Sequence, residues 1–267
     1  DATRNGGVVV NWARVEALTK NDRGRVSGVV VKNMRDGSLR EVKAHTVINA
    51  TGPWTDEVLA MSGPRTSKML RLTKGIHIVV DRARLPVNHA VVLFHPTDNR
   101  VLFALPWGER TYVGTTDTDY DGVPGEEYAT LEDVDYLIAA ANHYFPNDHI
   151  HRNDVISTWS GLRPLIAPEA DVGDMAESQV SREHQIHIGE DGLITIAGGK
   201  LTGFRTMAMT VLDFVAEQQG RSLGPSPAAR PVARRCRPSS TTPGSALRAT
   251  DPRRPGRPAR GRHTPPR

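Results

Sequence analysis

Residues 193–205, Leu193-Ile194-Thr195-Ile196-Ala197-Gly198-Gly199-Lys200-Leu201-Thr202-Gly203-Phe204-Arg205, constrain this chain more than any other stretch. A short apolar strand runs into two adjacent glycines, and an amphipathic helix follows. Paired glycines permit left-handed backbone and leave no Cβ between the chain and a ligand. The first N–H groups of a helix lack intrahelical acceptors and attract negative charge. Lys200 places a full positive charge at the same point. The layout is that of an anion or cofactor site, although a turn that only reverses the chain fits the same residues.

The rest of the chain alternates strands and helices. Val8 to Trp12 reads as a buried strand, and Arg14–Thr19 and Arg25–Met34 read as two more, joined by a turn at Asn21-Asp22-Arg23-Gly24. Val47 to Ala50 returns to the core, and Pro53 opens a short helix that ends near Gly63. Strands follow at 76–80, 89–94, 101–105 and 111–115, then a helix from about 130 to 143. Thr130 is placed to cap that helix, with Glu132 and Asp133 in its first turn. Leu131, Val134, Leu137, Ile138 and Ala141 fall on one helical face. Thr202 is placed to cap the last helix, whose Met207, Val211, Phe214 and Val215 form a core face.

Four further segments accompany the glycine turn. They are Thr46-Val47-Ile48-Asn49-Ala50-Thr51-Gly52-Pro53-Trp54, Thr73-Lys74-Gly75-Ile76-His77-Ile78-Val79-Val80, Gly114-Thr115-Thr116-Asp117, and Trp159-Ser160-Gly161-Leu162-Arg163-Pro164-Leu165. In this order and spacing, residues 1–220 resemble the bacterial FAD-dependent glycerol-3-phosphate dehydrogenase family. The resemblance implies an α/β (α+β) fold. A partial Rossmann-like FAD-binding domain would join an antiparallel-sheet substrate domain of the D-amino-acid-oxidase-like flavoprotein type. The implied FAD-binding parts are residues 1–63 and 166–220, with residues 64–165 as the substrate domain.

The resemblance also implies a chemistry. A hydride leaves C2 of sn-glycerol 3-phosphate for FAD, giving dihydroxyacetone phosphate, and the electrons pass to a quinone. Arg163 matches the family's substrate arginine, and a guanidinium grips phosphate or carbonyl oxygens through parallel hydrogen bonds. Thr115 matches a substrate-contacting threonine. Lys200 suits an anion-binding or a proton-transfer role, the latter requiring burial. Ala50, Thr51 and Gly52 match one flavin contact, and Gly198, Gly199, Lys200, Leu201 and Thr202 match another. Each has a plainer reading: a surface salt bridge for Arg163, a turn hydroxyl for Thr115, a solvated lysine for Lys200. An amine or amino-acid oxidase of the same fold stays open as an alternative.

One family feature is not found. The strand, Gly-x-Gly-x-x-Gly turn and helix that hold the FAD pyrophosphate have no counterpart. Asn5-Gly6-Gly7 lacks both the spacing and the preceding strand. The family's C-terminal helical domain is also unrecognisable. The expectation is a fragment that does not work as a dehydrogenase by itself.

Charge divides the chain in two. Residues 221–267 hold twelve Arg, ten Pro and a single acid, for a net charge of +11, whereas residues 1–220 carry 22 basic and 29 acidic side chains. The first 220 residues are therefore acidic, and the overall charge of +4 comes from the tail. So few apolar residues among so many like charges predict disorder in the tail. Arg without Lys suits a stretch read out of frame. A functionless extension and a nucleic-acid-binding arm are the other readings, and no nucleic-acid partner is expected.

The single cysteine, Cys236, lies in that tail, so disulfides play no part in residues 1–220. No stretch has the length and apolarity of a membrane span. The implied location is cytoplasmic, with at most a peripheral contact on the inner face of the plasma membrane. The histidines lack zinc-site spacing. Asp117, Asp119 and Asp121 lack the closing glutamate of a calcium loop, so no metal is expected.

Overall fold

A computed structural model describes residues 2–65, 67–167 and 183–222. The disorder expected for the Arg/Pro tail falls almost wholly outside these residues. The chain opens with β1 (Ala13–Lys20), β2 (Val26–Asn33) and β3 (Leu39–Lys43), then β4 (Ile48–Asn49) and α1 (Thr55–Ser62). Next come β5 (Leu70–Asp81), β6 (Val91–Phe94), β7 (Val101–Trp107), β8 (Arg110–Gly114), β9 (Thr118–Asp119), α2 (Leu131–Tyr144) and β10 (Val155–Ile166). It closes with β11 (His184–Ile188), β12 (Ile194–Gly198) and α3 (Phe204–Gln218).

Among the described residues these strands form three sheets. β1-β2-β3 is an antiparallel meander. A larger antiparallel sheet runs β10-β5-β8-β7-β6, with β9 also on β5. The third, β11-β12-β4, joins an antiparallel pair to one parallel pair, Ile194 and Thr195 of β12 against Ile48 and Asn49 of β4.

Strand alternation gives the large sheet two unlike faces. Ile76, Ile78 and Val80 of β5 point to one side and are completely buried with Leu102 and Ala104 of β7 and Val113 of β8. Helix α2 closes that side with Val134, Leu137, Ala140 and Ala141. The other side carries a cross-strand row, Trp159–His77–Gly114–Phe103, set by the register of β10, β5, β8 and β7. That side stays open: Trp159 and Phe103 are 48% and 42% exposed.

The cap of α2 forms as the sequence predicts. The Thr130 hydroxyl accepts from the Asp133 N–H, and the Asp133 carboxylate accepts from the Thr130 N–H, a reciprocal capping box. Asp133 also takes a 2.7 Å ion pair from Lys74 of β5. Burial pushes its carboxyl up, but Lys74 and the two Thr130 bonds outweigh that and hold it below its ordinary value.

Three sequence expectations are corrected. Val8–Trp12 is irregular and exposed, with Val8 at 88%, because no described strand pairs with it. Leu131 is exposed because it opens α2 beyond the sheet, and the buried face begins at Val134. Thr202 makes no cap: a short 3-10 turn, Leu201–Gly203, precedes α3, and Gly203 occupies the cap position.

Candidate functional site

Arg163 lies on the open side of the large sheet, near the end of β10 and opposite Thr73 of β5. Its guanidinium is gripped by the loop after β8. Nη2 donates to Thr115 Oγ1 (2.9 Å) and to the Thr116 carbonyl (3.1 Å), and Nη1 donates to Asp117 Oδ1 (3.0 Å). The loop is anchored in turn to β5, where Thr116 Oγ1 accepts from the Ile76 N–H (2.9 Å). Asp117 is 7% exposed, so this is a partly buried, charge-assisted cluster.

The arginine needs Gly75. A Cβ built on Gly75 would stand 2.4 Å from Arg163 Nη2, closer than any real contact. The guanidinium therefore lies flat over a strand position with no side chain. Two residues along β5, His77 rests against Gly114, where a Cβ would stand 2.3 Å from the imidazole. Its ring centroid lies 5.8 Å from that of Trp159. Burial, and secondarily the charge of Arg163, hold the His77 pKa below its ordinary value.

The glycine turn lies at the end of β12, which packs against the end of β10. Pro164, adjacent to Arg163, lines an apolar cavity of about 620 Å³ together with Gly198, Gly199 and Lys200 from the end of β12. Ala50 and Gly52 close it from β4, and Phe204, Met207 and Leu212 close it from α3. Gly198 (φ +73°) and Gly199 (φ +78°) both adopt left-handed backbone, and their Cβ positions are blocked by the Glu183 carbonyl and Met207 Sδ. The two glycines thus meet both a conformational and a steric demand.

The β4 turn is ordered by Asn49, which is 2% exposed. Its Nδ2 donates to the Thr55 carbonyl (3.1 Å), and its Oδ1 accepts from Thr51 Oγ1 (2.6 Å). Asp56 ties α1 to the large sheet by accepting from the N–H groups of Met69 and Leu70 (2.9 and 3.1 Å). Leu70, Ile166 and Ala197 then pack β5, β10 and β12 together.

The structure thus brings Arg163 and Thr115 into contact and gathers Ala50, Gly52, Gly198, Gly199, Lys200 and Leu201 around one cavity. Thr51 faces Asn49 instead, and Thr202 is exposed outside the cavity lining. Lys200 is exposed at the rim of the cavity. Sequence reasoning missed Asp117, Gly75 and His77 as members of the site. The alternation of Thr73-Lys74-Gly75-Ile76-His77 was the available signal, since it puts 73, 75 and 77 on one side of β5.

A flat, mainly apolar cofactor with an anionic end fits this cavity. Its walls are small or apolar, the approach is through backbone at two left-handed glycines, and Lys200 stands at its rim.

The FAD dependent oxidoreductase family model matches residues 1–210. Among curated proteins, an aerobic glycerol-3-phosphate dehydrogenase of Staphylococcus epidermidis is 42% identical over 223 residues, covering 84% of this chain and 39% of that protein. The Staphylococcus aureus protein of the same name is 40% identical over the same length, with the same coverage. The chain therefore spans 39% of the length of these curated relatives. Among solved structures, the glycerol-3-phosphate dehydrogenase from Bacillus halodurans complexed with FAD superposes with a TM-score of 0.74 at 39% identity, covering 84% of this chain and 42% of that one. Iminodiacetate oxidase from Chelativorans sp. shares the fold, with a TM-score of 0.54 at 21% identity, covering 84% of this chain and 53% of that one.

Proposed function

This chain belongs to the FAD dependent oxidoreductase family, and on that premise we propose that its residues serve the oxidation of sn-glycerol 3-phosphate to dihydroxyacetone phosphate. The carrying observation is Arg163, fixed over Gly75 by Thr115, Thr116 and Asp117, one residue from the wall of the glycine-lined cavity. Residues 64–165 are read as the substrate domain, and 1–63 with 166–220 as the cofactor-binding part. The separately closed core between the large sheet and α2 supports that division.

In this reading Arg163 binds substrate oxygen atoms, because a planar, permanently charged fork suits a phosphate or a developing carbonyl. Thr115 orients that fork from the loop. Lys200 supplies positive charge where substrate and cofactor meet. Ala50, Gly52, Gly198, Gly199 and Leu201 shape the cofactor wall, and the apolar lining of α3 excludes water. Bound FAD supplies the hydride acceptor. A quinone as the onward electron acceptor, met at a membrane surface, rests on the family resemblance. No helix among the described residues is long and apolar enough to cross a membrane.

A chimera in which residues 1–220 replace the matching stretch of the Staphylococcus epidermidis relative tests the proposal. Anaerobic sn-glycerol 3-phosphate is expected to bleach its flavin absorbance, whereas glycerol and amino acids leave it unchanged. Arg163→Ala is expected to lower turnover about 100-fold with flavin content intact, the scale of a lost charged hydrogen-bond cluster. Lys200→Ala is expected to lower turnover as well. Bleaching by amino acids in place of sn-glycerol 3-phosphate, or normal kinetics in both variants, would overturn the reading.

A further inference from the structure

Arg163 is held from behind by a chain of groups that runs to helix α2. Asp117 is its inner link: the side chain meets Arg163 Nη1, while the backbone carbonyl accepts from Arg100 Nη1. The Arg100 N–H donates to Asp98 Oδ1 (3.1 Å), and Arg100 Nε stands 3.8 Å from the same carboxylate. Asp98 also accepts from the Tyr136 hydroxyl, at 3.0 and 2.9 Å. Tyr136 belongs to α2 and stacks on His95 with ring centroids 3.6 Å apart and planes within 2°. His95 is 3% exposed and is fixed by the Tyr136 carbonyl (3.1 Å) and Thr97 Oγ1 (2.8 Å). The loop carrying Thr115, Thr116 and Asp117 is thus braced against the helix that closes the other side of the sheet.

We infer that Asp117, braced by Arg100, is a positioning residue that presets the Arg163 guanidinium for a phosphate ester. The inference rests on the proposed function, since it assumes that Arg163 meets an anionic ligand. A free arginine side chain has many rotamers, and ordering it at the moment of binding costs affinity. Thr115, Thr116 and Asp117 meet that cost during folding. A carboxylate also offsets part of the charge that would attract the ligand, so the arrangement favours orientation over raw charge. This separates the two properties of Asp117: its oxygen sets geometry, and its charge opposes binding.

Asparagine keeps the oxygen and drops the charge, whereas alanine drops both. Binding of sn-glycerol 3-phosphate to the chimera described above, taken as the parent, is measured calorimetrically, with inorganic phosphate as a second probe and glycerol as the uncharged control. Asp117→Asn is expected to bind sn-glycerol 3-phosphate within about threefold of the parent, and Asp117→Ala at least about tenfold more weakly. Arg100→Gln leaves the Arg163–Asp117 pair in place but loosens the loop, and is expected to weaken binding about fivefold. It also serves if Asp117→Ala fails to fold. NMR of the Arg163 guanidinium is expected to show hindered rotation about Nε–Cζ in the parent and Asp117→Asn, and faster rotation in Asp117→Ala.

Equal losses in the asparagine and alanine variants, or parent-like binding by Asp117→Ala or Arg100→Gln, would overturn the positioning role alone. Failure of the parent to bind either anion would instead overturn the proposed function, and the positioning role with it.

Discussion

The face of the large sheet under α2 and the cavity wall at the glycine turn bury apolar residues to very different degrees. Beneath the large sheet, Ile76, Ile78, Val80, Leu102, Val113 and Leu137 are completely excluded from water. Around the glycine turn, Ile48, Leu201, Phe204 and Leu212 are 41%, 87%, 55% and 52% exposed. The first region pairs its own strands and covers one face with its own helix. The second leaves an apolar wall that the described residues do not cover. Apolar composition alone therefore does not tell core from site. What tells them apart is whether the same segment supplies the covering element.

That contrast can be broken most directly by truncation. Ile78→Ala is expected to cost about 3 kcal/mol in urea unfolding, because it opens a cavity in a closed core. Phe204→Ala in the glycine-lined cavity is expected to cost less than about 1 kcal/mol, because its side chain is already half in water. Equal losses would erase the distinction between the two regions.

The ion pair between β5 and α2 sharpens it further. Lys74 and Asp133 are 13% and 7% exposed, so Lys74→Ala leaves a nearly buried carboxylate without its cation, at a cost of about 3 kcal/mol at pH 7. Asp133 titrates below its ordinary 3.8 in the folded protein, so its contribution is present above that value and is lost as pH falls through the folded one. The stability gap between parent and Lys74→Ala should accordingly close on acidification, as read from unfolding midpoints across pH 2–6, a span of about two units either side of the ordinary aspartate value. A gap that stays constant would mean that Asp133 does not titrate with the pair.

The smallest effect concerns the open face. Burial first, and Arg163 second, keep the His77 pKa below 6.5, so the native state loses stability as pH falls from 6.5 toward the folded value. Arg163→Gln removes only the second cause. Its imidazole resonances should therefore titrate at a higher pH than in the parent, yet still below 6.5. An unchanged titration would show that the charge of Arg163 does not reach His77.

Much of the fold was legible because local rules and tertiary packing agree. The Thr130 cap and the Asn21–Gly24 turn formed as read, the strand expected at 76–80 is the end of a longer β5, and the D-amino-acid-oxidase-like architecture followed from the motif series. Val8–Val10 was misread because an apolar run predicts a strand only where a partner strand exists, and pairing is not a local property. Thr202 was misread because a 3-10 turn, Leu201–Gly203, takes the place of a side-chain cap and leaves Gly203 at the start of α3. In the site, Arg163 and the glycines carried recognisable signals. Asp117 did not, because three acids at alternate positions suggest a cation loop, and only the folded loop shows Asp117 turned toward an arginine 46 residues later in the chain.

Gly75 has a consequence for how this site can change over generations. The guanidinium of Arg163 fills the volume that any side chain at 75 would need. Enlarging residue 75 displaces the guanidinium from its seat, and shortening residue 163 gives up its bonds to Thr115, Thr116 and Asp117. The two positions are coupled, so a change at one is expected to be accompanied by a change at the other among proteins that share this fold.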